Sequence, residues 1–244
     1  MTIGSLYSGG IDAFSYAANY LGIHVKWHVE NDSRAYPYLR KNYPNTKIYT
    51  HDTFVGKHNL EWVNIISGGD PCQPHSYSGL RRGKTDNRYR WPEMFRIITE
   101  LRPDWVINEN VVGSISNMVL DQKISDLEKI GYSWGAYNIP AVSVGAHHER
   151  QRIFIVAYSN EKRWPELLHF DTSAIFKEVK NAITLGASGN AFLQFEQSQA
   201  EPALFPMAYG IPDHVFRLEA AGNSIVAPIP IILLKAIIEI DKLL

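Results

Sequence analysis

The chain has 244 residues, a formal net charge of −1 and a single cysteine. This length allows one large domain, or one domain with a small insert, around an ordinary hydrophobic core. The near-neutral charge excludes a global attraction to nucleic acid, so DNA binding would need a local basic patch. The single cysteine excludes an internal disulfide, and the most apolar run, 225–234, is far shorter than the ~20 residues of a membrane span. We therefore expect a cytoplasmic protein with no transmembrane segment.

The first predicted strand leads into a glycine turn. Ile3 to Tyr7 is typical of a short strand, and Ser8-Gly9-Gly10 leads from it into a helix from about Asp12 to Gly22. Glycines let the backbone approach a ligand, and the free amides of a helix start favour anionic groups. The stretch predicts a nucleotide-binding opening, although a plain tight turn fits it equally well.

Acidic residues follow the next two predicted strands. Val25 to Val29 is an apolar strand with Glu30 at its carboxyl end, where doubly wound folds place an acid for ribose hydroxyls. A short strand over 47–49 precedes Asp52. Without further context, either acid could be an ordinary solvated charge.

The only cysteine lies in Ser67-Gly68-Gly69-Asp70-Pro71-Cys72-Gln73-Pro74, directly after the apolar run 62–66. A working cysteine must lose its proton, and nearby cations favour the thiolate. The following segment, 79–90, has five basic residues against Asp86 and is the densest basic patch in the chain. The alternative for a lone cysteine is a small buried hydrophobe, but the adjacent glycines and prolines argue against a core strand.

The second half continues the alternation of strands and helices. A helix starting at Trp91 precedes a strand over 105–108, which ends in Glu109-Asn110-Val111. The next helix, 117–130, should direct Leu120, Ile124 and Leu127 inward, and strands are expected over 132–139 and 152–158. The last helix should run from about 228 to 244, with apolar residues along one face.

Arg150 and Arg152 lie in the connection between the last two predicted strands, after His147 and His148. Arginine suits a carbonyl oxygen that gains charge, because its fork of donors is always charged. The histidine pair could suggest a metal site, but neighbours on a strand point to opposite faces and no cysteine is near. We therefore expect no metal.

Five motifs occur in an order that resembles the DNA cytosine-C5 methyltransferases. They are the glycine turn, Pro71-Cys72-Gln73, Glu109-Asn110-Val111, the Arg150-x-Arg152 pair and Gly222-Asn223-Ser224. The resemblance covers almost the whole chain. It departs from the family in the second glycine of the turn, displaced to Gly10, and in His148, which stands where the family has glutamine.

This resemblance implies an α/β fold of the Rossmann-like, S-adenosylmethionine-dependent methyltransferase class. Residues 1–158 would form the catalytic and cofactor-binding domain, completed by 207–244. Residues 159–206 would form a small target-recognition insert, which carries more acidic than basic residues.

The resemblance also implies the site residues. Cys72 would add to C6 of a flipped cytosine, Glu109 would protonate N3, and Arg150 and Arg152 would bind the O2 side. Cofactor-binding residues would be Tyr7, Ser8, Gly9, Gly10, Glu30, Asp52, Pro71, Asn223 and Ser224. DNA-binding residues would be Gln73, Ser76, Arg81, Arg82 and Lys84.

Other functions remain open at this stage. A tRNA cytosine-C5 methyltransferase would share every catalytic motif, and a non-catalytic nucleic-acid-binding relative would not need Cys72. A cysteine hydrolase using His75 or His148 would leave the glycine turn unexplained. The expected partner is double-stranded DNA, with a restriction endonuclease or another specificity partner also compatible, and the sequence favours no oligomeric state.

Overall fold

Seven strands form one mixed sheet in the computed structural model, which describes residues 1–71, 89–116, 118–146, 148–160 and 225–243. In chain order the strands are β1 (Thr2–Leu6), β2 (His24–Val29), β3 (Lys47–Tyr49), β4 (Ile65–Gly68), β5 (Trp105–Val111), β6 (Tyr132–Pro140) and β7 (Gln151–Ser159).

The strand order is β3-β2-β1-β4-β5-β7-β6. The first five strands are parallel, and β7 runs antiparallel to both β5 and β6. The chain first builds outward from β1 to β3 and then continues on the other side of β1 with β4. Ligands of open α/β sheets bind at the carboxyl ends of the strands where the order reverses, which here is between β1 and β4.

Six helices flank this sheet in the described residues. They are α1 (Ala13–Tyr20), α2 (Tyr36–Asn42), α3 (Trp91–Leu101), α4 (Gly113–Ser116), α5 (Val119–Lys129) and α6 (Pro228–Leu243). The Asp12 side chain caps α1 by accepting from the amide of Ser15, and proline in the first turn favours the start of α3. Within these ranges, no helix combines the length and apolar character needed to cross a bilayer.

Two apolar cores separate the helices by face. One core joins α1 and α6 to one side of the sheet, and the other joins α3 and α5 to the opposite side. The predicted apolar face of α6 is buried as expected, but 231, 232 and 234 are buried as well, so the helix packs on a wider surface. The α/β fold predicted from the sequence is confirmed.

Two local predictions are wrong in part. Helix α5 buries Leu127 as predicted, but its other buried residues are Val119 and Lys123. The predicted Leu120 is only partly buried against the core, and Ile124 is not among the buried residues. A buried lysine breaks the apolar pattern because its charge has a partner inside the protein. Strand β5 also extends to Val111 instead of ending at 108, since β7 pairs along its whole length.

Candidate active site

The end of β4 brings the backbone before the cysteine against Glu109. Parallel pairing places Gly68 opposite Asn108, so the chain leaving β4 passes beside Glu109 on β5. A Cβ atom on Gly69 would lie 2.7 Å from Glu109 Oε2, so a side chain at this position would displace the Glu109 carboxylate. Cys72 follows three residues later and lies outside the described residues.

Glu109 is held by an arginine from the antiparallel neighbour. Pairing of β5 with β7 places Val111 opposite Arg152, one diagonal step from Glu109. Arg152 Nε lies 2.6 Å from Glu109 Oε1, and only 17% and 14% of the two side chains are exposed. Burial raises the pKa of Glu109 above its ordinary value of 4.5, although Arg152 and Arg150 oppose this effect. Glu109 is therefore a buried acid that keeps its proton to higher pH than a surface carboxyl.

Arg150 belongs to the same charged group. Burial and the nearby charge of Arg152 lower its pKa, whereas Glu109 raises it. The exposed His148 lies in a bend before β7, where its Nδ1 accepts from the amide of Arg150 at 3.4 Å. His148 therefore lies in the connection between β6 and β7, as the predicted strand bounds imply. In the part of the chain that the structure describes, no three His, Cys, Asp or Glu side chains are grouped to hold a metal.

A buried ion pair beside this group was not predicted from the sequence. Lys123 Nζ from α5 contacts Asp70 Oδ1 and donates to Asn108 Oδ1 at 2.9 Å. Asn108 Nδ2 in turn donates to Asp70 Oδ1 at 2.8 Å. The only available signal was the spacing of Lys123 from Val119 and Leu127, which places it on the inner face of a helix.

The other side of the crevice contains the predicted cofactor loop. Glu30 Oε2 accepts from the amide of Gly9 at 2.6 Å, and Oε1 accepts from the amide of Asp32 at 2.7 Å. Burial raises the pKa of Glu30, and these two hydrogen bonds oppose it. Gly9 has φ +60°, and a Cβ atom there would meet nothing within 4 Å.

This arrangement fits a nucleoside such as that of S-adenosylmethionine. The open turn leaves space beside the backbone, and each carboxylate oxygen of Glu30 has a lone pair left for a hydroxyl group. Ser8 and Gly10 complete the turn as buried residues, with the Ser8 hydroxyl donating to the Ser5 carbonyl at 3.2 Å.

Asp52 joins the end of β1 to the start of α3. It is fully buried, and it accepts from the Tyr7 hydroxyl at 2.9 Å and from Arg90 Nε at 2.7 Å. Burial raises the pKa of Asp52, but the hydrogen bonds from Arg90, Tyr7 and Asn31 and the charge of Arg90 together outweigh it and hold the pKa below its ordinary value of 3.8. The family resemblance implies that Asp52 contacts the adenine amino group of the cofactor, and this stays a prediction. The protein contacts show that Asp52 also anchors Arg90.

The structure thus brings together Glu109, Arg150 and Arg152, and separately Tyr7, Ser8, Gly9, Gly10, Glu30 and Asp52. Pro71 is described and exposed at the end of the β4 segment. Almost all of the expected 159–206 insert lies outside the described ranges. The remaining predicted site residues also lie outside them: Cys72, Gln73, Ser76, Arg81, Arg82, Lys84, Asn223 and Ser224.

The sheet is that of the methyltransferase fold. The solved structure of the methyltransferase EhMeth from Entamoeba histolytica aligns over 100% of this chain and 99% of its own, with a TM-score of 0.67. The two sequences are 14% identical, so the likeness shows the fold alone.

Sequence comparison identifies the family. The model of the C-5 cytosine-specific DNA methylases matches residues 1–194, and the chain therefore belongs to this family. It is 33% identical over 120 residues to Type II methyltransferase M.AplI of Arthrospira platensis, covering 48% of this chain and 35% of the relative. It is 30% identical over 152 residues to Type II methyltransferase M.NgoMIV of Neisseria gonorrhoeae, covering 57% and 47%. The aligned segments span less than half of each relative.

The raised pKa of Glu109 predicts a pH-dependent cost to stability. Because the folded protein binds the Glu109 proton more tightly than the unfolded chain, this proton adds to the free energy of unfolding below pH 4.5. The added stability is lost as the pH rises through the pKa of Glu109 in the folded protein. Glu109→Gln resembles the protonated acid at every pH. We expect its free energy of unfolding to equal that of the wild type below pH 4.5 and to exceed it at pH 7, measured by urea denaturation.

Glu100→Gln is the control of opposite sign. Although burial raises the pKa of Glu100, hydrogen bonds from Arg96 and from the amide of Lys57 hold it below 4.5. This variant should be less stable than the wild type at pH 7. Equal or lower stability of Glu109→Gln at pH 7 would contradict a raised pKa for Glu109.

Proposed function

We propose that the protein is a DNA cytosine-C5 methyltransferase that acts through a covalent bond between Cys72 and C6 of the target base. One observation supports this most strongly. The carboxyl group of Glu109, whose pKa burial raises, lies against the backbone of Gly69, three residues before the only cysteine. An acid and a nucleophile at the same sheet edge are what addition to a cytosine ring requires.

The chain's own residues have separate tasks in this reaction. Cytosine C6 is covered in a duplex, so the base must leave the stack before the Cys72 thiolate can form the S–C6 bond. Glu109 donates a proton to N3 as that bond forms, and Arg150 and Arg152 stabilise the charge that grows on O2. S-adenosylmethionine, when bound, supplies the methyl group that C5 receives. A solvent water then accepts the C5 proton, the S–C6 bond breaks to regenerate the Cys72 thiolate, and the N3 proton returns to Glu109.

The cofactor would lie across the carboxyl ends of β1 and β2. Glu30 would accept hydrogen bonds from the ribose hydroxyls, and the open turn at Gly9 would approach the rest of the molecule. Pro71, Asn223 and Ser224 stay predicted cofactor-binding residues, because the family resemblance implies this role.

Double-stranded DNA is the proposed substrate. The predicted phosphate contacts are Arg81, Arg82 and Lys84, because the basic segment directly follows the cysteine and the 159–206 insert is more acidic than basic. A restriction endonuclease or another specificity partner stays a prediction, as does a cytoplasmic location.

The covalent step can be tested without knowing the target sequence. A long duplex amplified with 5-fluoro-2′-deoxycytidine triphosphate offers every sequence with fluorine at C5. After methyl transfer this carbon has no proton to lose, so the protein should remain attached to the DNA on a denaturing gel. We expect the adduct with the wild type and none with Cys72→Ser.

Glu109→Gln should slow methyl transfer to unmodified DNA by about 10²-fold, the usual effect of losing a general acid. Glu128→Gln, which changes an exposed carboxylate on α5, should leave the rate unchanged. An adduct with Cys72→Ser would overturn the proposed nucleophile. Methyl transfer to tRNA but not to duplex DNA would overturn the proposed substrate in favour of a tRNA enzyme.

The cofactor site makes a separate prediction. Glu30→Ala removes a carboxylate that accepts from two loop amides and would accept from ribose hydroxyls. We expect the affinity for S-adenosylmethionine to fall by about 10- to 100-fold in calorimetry, the usual cost of losing hydrogen bonds to a charged group.

Glu61→Ala is the matched control, because Glu61 is an exposed acid whose side chain pairs with Lys26 on β2. Its cofactor affinity should equal that of the wild type. Glu30→Ala binding as tightly as the wild type would show that the cofactor does not use this end of the sheet.

A further inference from the structure

We propose that Asp70 and Lys123 are positioning residues for methyl transfer, because their buried ion pair fixes the backbone directly before Pro71 and Cys72. The inference rests on the proposed function, since it concerns the placement of the proposed nucleophile against Glu109. Neither residue would touch the substrate.

Asp70 is fixed by several donors from other elements. Besides Lys123 Nζ and Asn108 Nδ2, the side-chain amide of Asn110 reaches the same Oδ1 atom at 3.4 Å. Asp70 is 3% exposed and Lys123 is 1% exposed, so water does not compete for these contacts. The direction of the Asp70 side chain, and with it the backbone two residues before Cys72, is therefore set by β5 and α5.

The same network aligns the ends of β4 and β5. Asn108 Nδ2 also donates to the carbonyl of Gly68 at 3.2 Å, which joins the last residue of β4 to the middle of β5. Asn108 and Glu109 are consecutive residues of one strand and point to opposite faces of the sheet. The network thus holds β5 from one face while Glu109 meets Gly69 at the sheet edge.

Stability alone gives a poor reason for this ion pair. Burying a lysine and an aspartate costs desolvation, and a well-packed apolar pair of similar volume is often as stable or more so. Lys123 also lies 5.1 Å from the centre of the Trp91 ring, within an otherwise apolar face of α5. What the charged pair adds is directional contact at one backbone position, and that position is the start of the segment with the nucleophile.

The test uses three variants and one control. Lys123→Met removes the charge but keeps the length of the side chain, Asp70→Asn keeps the shape of the carboxylate, and the double variant leaves no buried charge unpaired. Lys129→Met removes an exposed lysine from the same helix. Each protein is assayed for thermal unfolding, affinity for S-adenosylmethionine, and rate of adduct formation with saturating 5-fluorocytosine duplex. The rate is expressed per cofactor-binding site, which removes any loss from misfolded protein.

We expect the double variant to keep wild-type cofactor affinity and to form the adduct about 10²-fold more slowly, the size of effect that a 1 Å misplacement produces. The single variants should be at least as slow, and Lys129→Met should match the wild type. A purely structural pair predicts the opposite outcome, in which the double variant regains the wild-type adduct rate together with stability.

The outcomes separate the two proposals. A double variant with the wild-type rate would overturn the positioning role while leaving the proposed function intact. Loss of cofactor binding in all three variants would also overturn it, because the pair would then be needed for folding itself. Failure of the wild type to form any adduct would instead contradict the proposed function.

Discussion

The parallel alignment of β1, β4 and β5 is the constraint on which the rest of the site depends. Because these strands run in the same direction, their carboxyl ends meet at one edge of the sheet. Glu30 lies at this edge after β2, Gly69 after β4 and Glu109 near the end of β5. Arg152 arrives at the same edge because β7 runs antiparallel and begins there. Residues far apart in the sequence thus meet at one edge of the sheet, where Glu109 pairs with Arg152.

The carboxyl groups of Asp70 and Glu109 lie near each other at this edge, but their surroundings differ. Asp70 contacts an ammonium group and two side-chain amides, as a structural anion does. Burial raises the pKa of Glu109, which keeps a proton available at higher pH. Neighbouring acids in unlike surroundings are typical of active sites, because one group can hold the framework while the other takes part in proton transfer.

The sequence was enough to predict the seven strands, the helices α1, α3, α5 and α6, and the place of Glu109, Arg152 and Glu30 near strand ends, because each follows from local patterns. The helices α2 and α4 were not predicted. The sequence was not enough to predict the inner face of α5 or the contact of Asp52 with Arg90. The spacing of apolar residues along a helix predicts only which apolar residues are buried. Lys123 is buried because it pairs with Asp70, which lies 53 residues away in the sequence. The true length of β5 likewise depends on β7, which a local pattern cannot show. The roles of Cys72 and of the insert stay predictions, since both lie outside the described residues apart from 159 and 160.

The most direct test of the central claim is to sequence the methylated positions in DNA from cells that express the protein, beside cells that express Cys72→Ser. The account predicts 5-methylcytosine at a recurring sequence with the wild type and its absence with the variant. DNA without 5-methylcytosine in cells that contain folded, cofactor-binding wild-type protein would contradict it, as would equal methylation by Cys72→Ser.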